Sequence, residues 1–435
     1  MTDSRIPGFY KRSVRERRNA VLENLSRDEP ESTAGTLLDN ADTILEHGGL
    51  SSEQADLIVE NVLGIYSLPF GVALNATIND EDRMIPMVVE EPSVIAAASN
   101  ASKMIRAGGG FHAKMTESLM IAQIELLQVP SPEEASRVIL EQKQELLDEA
   151  GKALQGLVRR GGGPHDLEVR QLASDHLVVH LLVDCKDAMG ANLVNGAAEA
   201  IGPGLAELVG AKLGLRILSN LSDRRMATVD VSVPGKALLP KEFAGTTEDV
   251  LDAIEAASIF AERDPYRAAT HNKGIMNGVD SVVIATGNDY RAVEAGAHAY
   301  AARDGNYAPL ATWRRDGTNL MGTMTLPLAL GIVGGTLRVH PGARLGLAIS
   351  QAKTADDLAL LAACAGVASN LAAIRALATE GIQRGHMSLH ARSVAIAAGA
   401  SGGEVNQIAK TIADAGDVTR DAAAKALESL RREPS

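Results

Sequence analysis

Aromatic residues make up only 3 % of this 435-residue chain, with a single tryptophan, so its core has to be assembled from Ala, Val, Leu and Ile. Cysteine is scarcer still. Cys185 and Cys364 are too few for a disulfide framework or a zinc cluster, and Cys185 lies in an apolar run where it reads as a small core residue. Basic residues are outnumbered, 42 Lys and Arg against 55 Asp and Glu, and the net charge of −13 argues against general nucleic-acid binding. A small anionic ligand met by a local basic patch stays open. Nowhere is there a run of about 18 apolar residues. The nearest candidate, Leu358 to Ile374, is Ala-rich and interrupted by Ser369 and Asn370, so it reads as a packed helix. The N-terminal stretch is basic and polar with no apolar segment behind it, unlike a secretory leader. The expectation is a soluble, cytoplasmic protein without a membrane or nucleic-acid partner.

What is present suits a globular protein of two or three domains, with 46 % hydrophobic residues and 41 glycines clustered at 108–110, 161–163, 334–335 and 402–403. The first 50 residues read as charged helices, with Ser26-Arg27-Asp28-Glu29 and Ser51-Ser52-Glu53 as start signals. A helix is expected from Pro92, in its first turn, to the glycines at 108–110. A second unit begins near Thr116, with a strand MIAQIELLQV, a long amphipathic helix from Ser131 to Val158, and strands LEVRQLA and LVVHLLVD. Another helix from Asp187 to Gly202 follows, and then Leu205 to Leu213. That order suggests a small α+β domain inserted into a larger one, with the chain returning near Asp223. From residue 381 onward the chain reads as helical, divided at Ser401-Gly402-Gly403. The fold class is therefore α+β, with a large domain from 1–115 and 224–380, a small one from 116–223, and a C-terminal helical unit from 381–435.

Between Ala269 and Gly305 a lysine, Lys273, precedes an apolar run, Val282 to Ala285, that reads as a buried strand. Gly287-Asn288-Asp289 then delivers an aspartate at a turn. A lysine brought near a carboxylate in a largely buried site can be held charged to stabilise an oxyanion, although spacing alone favours a surface lysine and a turn aspartate. Glu90-Glu91-Pro92-Ser93 joins the strand MIPMVVE to a helix, where carboxylates suit the helix dipole. Asp187-Ala188-Met189-Gly190-Ala191-Asn192 places small residues between a strand and a helix N-terminus, a pattern open to a pyrophosphate or to plain tight packing. Gly108-Gly109-Gly110-Phe111-His112-Ala113 meets a loose dinucleotide fingerprint but follows a helix, so it is discounted. His386, flanked by Gly385, would pass as a surface residue, and His390, one helical turn on, reads as packing or solvent-facing.

Six segments in order resemble the class II 3-hydroxy-3-methylglutaryl-CoA reductase family. They are ENVLGIYSLPFGVALN (Glu60 to Asn75), VVEEPSVIAAAS (Val88 to Ser99), DAMGANLVN (Asp187 to Asn195), LSNLSDRR (Leu218 to Arg225), DPYRAATHNKGIMNGVD (Asp264 to Asp280) and ATEGIQRGHMSLHAR (Ala378 to Arg392). The resemblance implies a substrate and CoA domain, an inserted NAD(P)-binding domain without the Rossmann fold, and a C-terminal flap. It implies Glu91 as proton donor, Lys273 as oxyanion stabiliser, Asp289 tuning Lys273, and His386 protonating the departing CoA thiolate. Ser93, Arg267, Asn277 and Asn220 match substrate-binding positions. Asp187, Met189, Gly190, Ala191 and Asn192 match the dinucleotide motif. No metal is implied.

The implied reaction converts hydroxymethylglutaryl-CoA to mevalonate and CoA with two NADH or NADPH in isoprenoid synthesis, or runs in reverse in mevalonate catabolism, in a homodimer or an assembly of dimers. Relatives preferring NADH carry an aspartate before the glycine triplet, and a gapless count puts Leu154 there. Lys152, Arg159 and Arg160 could meet a 2′-phosphate, while Asp148 and Glu149 pull the other way, so the cofactor preference stays open. Lys11, Arg12 and Arg15 are candidates for the CoA phosphates. Two other functions compete: a CoA-thioester lyase or hydrolase, and a non-catalytic CoA-binding protein.

Overall fold

The structure, a computed structural model, describes residues 3–25, 40–46, 48–240, 243–379 and 382–432, without the side chains of Thr336, Arg338 and residues 382–389. The helix-start signal at Ser26 to Glu29 lies outside the described residues. Ser51 does cap a helix, Ser52–Ile58, through a capping box with Gln54.

Among the described residues, ten strands form two sheets. The larger has the order β2-β1-β3-β8-β10-β9, from β1 (Phe70–Ile78), β2 (Glu81–Val88), β3 (Phe111–Met115), β8 (Met226–Pro234), β9 (Ala311–Asp316) and β10 (Asn319–Pro327). A tight Asn79-Asp80 turn, with φ of 47° and 68°, joins β1 to β2, as a two-residue hairpin requires. Neighbours are antiparallel except β1 and β3. Against this sheet pack the helices Val94–Arg106, Thr247–Arg263, Pro265–Ala285 and Ala355–Thr379, and their shared core is aliphatic with Trp313 as its largest member. Ala355–Thr379 is apolar enough and long enough to cross a membrane, but most of it is buried in this core, in keeping with a packed helix.

The smaller sheet, in the order β5-β6-β4-β7, comprises β4 (Leu119–Leu127), β5 (Gly163–Ala173), β6 (His176–Asp184) and β7 (Lys212–Leu218), with its own core closed by the helix Ala191–Leu208. The C-terminal helices Ile382–Ala397, Gly403–Asp414 and Arg420–Arg432 share a third core.

Several local expectations are overturned. Val282 to Ala285 is not a strand but the last turn of the helix Pro265–Ala285. Its β-branched residues suggested a strand, whereas burial continues at helical spacing through Ile275, Val279 and Val282 until Gly287, at φ 66°, ends the helical path. Ser131 to Val158 is three helices, Pro132–Glu141, Lys143–Ala153 and Gln155–Val158, broken at Gln142 and Leu154. Gly151 and Gly156 weaken the helix around the second break, while nothing in the sequence marks the first. The helix expected from Asp187 to Gly202 begins only at Ala191 and continues through Gly202 and Pro203 to Leu208. Leu205 to Leu213 is divided between that helix and β7, a strand whose alternating Leu213, Leu215 and Ile217 run past the end of that segment and whose Leu215 and Ile217 point to solvent. Pro92 precedes the N-cap Ser93, so it lies outside the first turn of Val94–Arg106.

Candidate active site

Asp264 caps the helix Pro265–Ala285 by accepting from the Arg267 N–H, and Pro265 fills the first position, where its missing donor is harmless. Gly278 lets this helix press on its neighbour: a Cβ there would stand 2.2 Å from the Ala365 carbonyl oxygen. The polar side chains Lys273 and Asn277 are one turn apart and share a face. β2 ends just before Glu90 and Glu91, and the Glu91 carboxylate meets that face. Lys273 Nζ donates to Glu91 Oε2 at 2.5 Å, and Asn277 Nδ2 donates to the same oxygen at 3.3 Å. The lysine side chain is 61 % exposed and the glutamate 32 %, so the site expected to be largely buried is open in this chain. An exposed pair of this kind contributes little to stability.

Two neighbours carry unmet bonding capacity. Ser93 adopts a left-handed backbone, φ 78°, at the start of Val94–Arg106, and its hydroxyl is buried with no hydrogen-bond partner among the described residues. Arg267 is half-buried, makes no ion pair among the described residues, and has its pKa lowered from the usual arginine value by that burial. A desolvated, unpaired guanidinium and an orphaned hydroxyl are what an anionic ligand would satisfy.

Asp289 caps the helix Tyr290–Ala301 through the N–H groups of Arg291 and Ala292, with the Arg291 guanidinium 3.8 Å away. Among the described residues it forms no ion pair with Lys273. Asn220 packs its carbonyl oxygen where a Cβ on Gly296 would come within 2.5 Å, and it lines a small cavity with Met189, Ser222 and Val293. That cavity brings the Asp289 helix against the Asp187 motif.

In that motif, Gly190 takes φ 104° as it enters the helix Ala191–Leu208, and a Cβ would lie 2.4 Å from Cys185 Sγ. No side chain caps this helix, so Ala191 and Asn192 begin a first turn whose N–H groups suit a pyrophosphate. Asp187 points elsewhere, its Oδ1 accepting from the Ala355 N–H.

Leu154 cannot fill the ribose-facing position assigned by counting. It is 4 % exposed and packs in the core of the small sheet, because the helix breaks there and turns the residue inward. Lys152 is exposed and paired with Glu149. Lys11, Arg12 and Arg15 do not line the nearby cavity of about 540 Å³, which instead takes in Arg17, Arg18, Tyr66 and His340. His386 falls in the helix Ile382–Ala397, but its side chain lies outside the described residues. Sequence reasoning also passed over Arg225, which is fully buried, since nothing in the string separates it from a surface arginine.

Comparison with known proteins agrees across the chain. The family model for hydroxymethylglutaryl-coenzyme A reductase matches residues 13–391. A 3-hydroxy-3-methylglutaryl-coenzyme A reductase from Archaeoglobus fulgidus is 47 % identical over 98 % of this chain and 95 % of its own. A probable one from Borreliella burgdorferi is 33 % identical over 78 % and 77 %. The solved reductase of Streptococcus pneumoniae superposes with a TM-score of 0.80 at 40 % identity, covering 98 % of this chain and 99 % of that one. A class II structure from the same organism, bound to NADPH in open conformations, gives 0.79 at 40 % identity over 85 % and 99 %. The class these matches define is that of the NAD(P)H-dependent oxidoreductases. Within it, the chain belongs to the hydroxymethylglutaryl-coenzyme A reductase family, in keeping with the resemblance of its motifs.

Proposed function

We propose that the chain reduces the thioester of 3-hydroxy-3-methylglutaryl-CoA to mevalonate and CoA, or runs the reverse oxidation. The observation that supports this most is the convergence of Lys273 and Asn277 on the Glu91 carboxylate, in a member of this family. NADH or NADPH supplies one hydride in each of two rounds. As negative charge develops on the thioester oxygen, the Lys273 ammonium stabilises it, and Glu91 supplies the proton that completes the hemithioacetal. Collapse of that species returns the hydroxyl proton to the Glu91 carboxylate, releases the CoA thiolate, which takes a proton from His386, and leaves an aldehyde. The second round repeats the roles of Lys273 and Glu91 at the aldehyde oxygen and gives the alcohol. Asp289 tunes Lys273 from the adjoining turn.

Arg267 and Ser93 hold the free carboxylate of the substrate, a role their unmet bonding capacity supports, and Asn277 and Asn220 orient its polar groups. Asp187, Met189, Gly190, Ala191 and Asn192 form the dinucleotide site, which the uncapped helix start supports. The inserted unit 116–223 carries that site within a substrate domain formed by 1–115 and 224–380, and 381–435 closes over it as a flap. The protein works in the cytoplasm as a homodimer or an assembly of dimers. The exposed apolar side chains of Leu57, Val59, Leu63 and Tyr66 support a partner copy over that segment.

The test is hydroxymethylglutaryl-CoA-dependent loss of reduced-nicotinamide absorbance, with NADH and NADPH supplied separately. Oxidation with either supports the reductase, and the ratio of the two rates gives the preference. No oxidation by folded protein contradicts it.

A further inference from the structure

Arg225, just ahead of β8, has no exposed surface, and among the described residues its guanidinium has no carboxylate partner. It is held instead by three backbone carbonyls. Nη1 donates to Ala188 at 3.1 Å, and Nη2 donates to Lys186 at 3.3 Å and to Leu330 at 2.8 Å. Burying a cation is expensive, and a well-packed apolar side chain would serve stability at least as well. What the planar fork adds is fixed geometry between the two segments whose carbonyls it joins.

One segment is the loop Lys186 to Met189, immediately before Gly190. Arg225 fixes the carbonyls on either side of Asp187, whose own carbonyl accepts from the Ile332 N–H at 2.9 Å. The other is Leu330-Gly331. Gly331 donates its N–H to Asn288 Oδ1 at 2.8 Å, and its carbonyl accepts from Asn288 Nδ2 at 3.1 Å. Asn288 directly precedes Asp289. The two segments are in backbone contact, since a Cβ on Gly331 would lie 2.5 Å from the Met189 nitrogen. A continuous set of bonds therefore runs from the Asp187 loop through Arg225, Leu330 and Gly331 to the Asp289 turn.

We infer that Arg225 is a positioning residue that sets the register of the dinucleotide loop against the Asp289 turn. This rests on the reading of Asp187 to Asn192 as the dinucleotide motif. Lysine at 225 would keep the charge but present one point of donation to carbonyls on two sides. The loop would then loosen relative to the turn while the buried cation remained.

The experiment measures dinucleotide affinity directly, by the fluorescence of bound NADH or NADPH in the full chain, alongside steady-state kinetics. Arg225→Lys is expected to weaken dinucleotide binding and raise its KM by about 10- to 100-fold, leaving the KM for hydroxymethylglutaryl-CoA close to wild type. Gly331→Ala perturbs the same junction from the other side without touching a charge, and should give the same split if Arg225→Lys fails to fold. Equal rises in both KM values, the result of a merely structural role, overturn the inference, as does unchanged dinucleotide binding in folded variants. Wild-type protein that binds no dinucleotide and shows no turnover overturns this inference and the proposed function together. Wild-type protein that binds and turns over, with folded variants that match it, overturns only the role of Arg225.

Discussion

Lys273 and Glu91 are 182 residues apart in the chain and meet at 2.5 Å, one from the exposed face of a long helix and the other from the end of β2. Neither element needs the other's charge to fold. The helix is anchored by Ala268, Ile275, Val279 and Val282 in the large core, and β2 by Ile85 and Met87. The pair is thus free to be set by chemistry rather than by stability.

From that independence, Lys273→Met should fold as wild type, with little change in melting temperature, because an exposed ion pair contributes about 0–1 kcal/mol. Its kcat should fall by roughly 100-fold or more, as for loss of an oxyanion stabiliser. Glu91→Gln should lower kcat by about 100- to 10,000-fold while retaining substrate binding. A melting curve beside steady-state kinetics checks both, and a Lys273→Met variant with near-normal kcat contradicts the assignment.

Asp280, seven residues beyond Lys273, gives a pH dependence of stability. Burial and the adjoining Glu294 carboxyl push its pKa up to about 9. Between the ordinary aspartate pKa of about 3.9 and this raised value, the folded chain holds a proton that the unfolded chain has released. The stabilisation is fully present below the unfolded pKa and is lost as pH rises through that window. Asp280→Asn removes the linkage, so its urea midpoint should fall less between about pH 5 and about pH 9 than that of wild type. Parallel midpoints in the two proteins would count against a proton held at Asp280.

Trp313 illustrates how a core poor in aromatics treats its one tryptophan. Its indole N–H donates to Asn370 Oδ1 at 2.7 Å, deep between β9 and the helix Ala355–Thr379. Asn370→Ala strands that donor, and equilibrium unfolding should show a loss of about 1–3 kcal/mol.

The same asparagine shows what the sequence could and could not disclose. Ser369 and Asn370 marked the helix as one that packs in protein, and it is buried there, yet the tryptophan that Asn370 serves lies 57 residues away and could not be inferred. Val282 to Ala285 misled because β-branched residues favour strands locally, and only the packing of the whole helix overrides them. β7 does alternate, Leu213, Leu215 and Ile217 against Lys212, Gly214 and Arg216, but the segment from Leu205 ends at Leu213 and cuts that pattern off. Glu91 and Lys273 were singled out through their motifs, but their contact, and the openness around it, belong to tertiary structure. Leu154 failed because a gapless count cannot foresee a helix break.

At the loop proposed to bind the dinucleotide, Gly190→Ala meets two obstacles, a φ of 104° and a Cβ 2.4 Å from Cys185 Sγ. The variant should weaken NADH and NADPH binding by shifting the helix start. Adding Cys185→Ala removes the sulfur contact but leaves the Cβ of residue 185 at 3.0 Å and the backbone strain, so the double variant should recover only in part. Full recovery would mean that the collision alone mattered.

The central claim is a two-hydride reduction, and its most direct test is stoichiometry. Reduced nicotinamide consumed and CoA thiol released would be counted in one reaction with hydroxymethylglutaryl-CoA, for wild type and Lys273→Met. The account predicts two nicotinamides oxidised for each thiol, with both signals lost together in the variant. Thiol released without nicotinamide oxidation, from folded wild-type protein, would contradict it and point to cleavage of the thioester by hydrolysis or lysis.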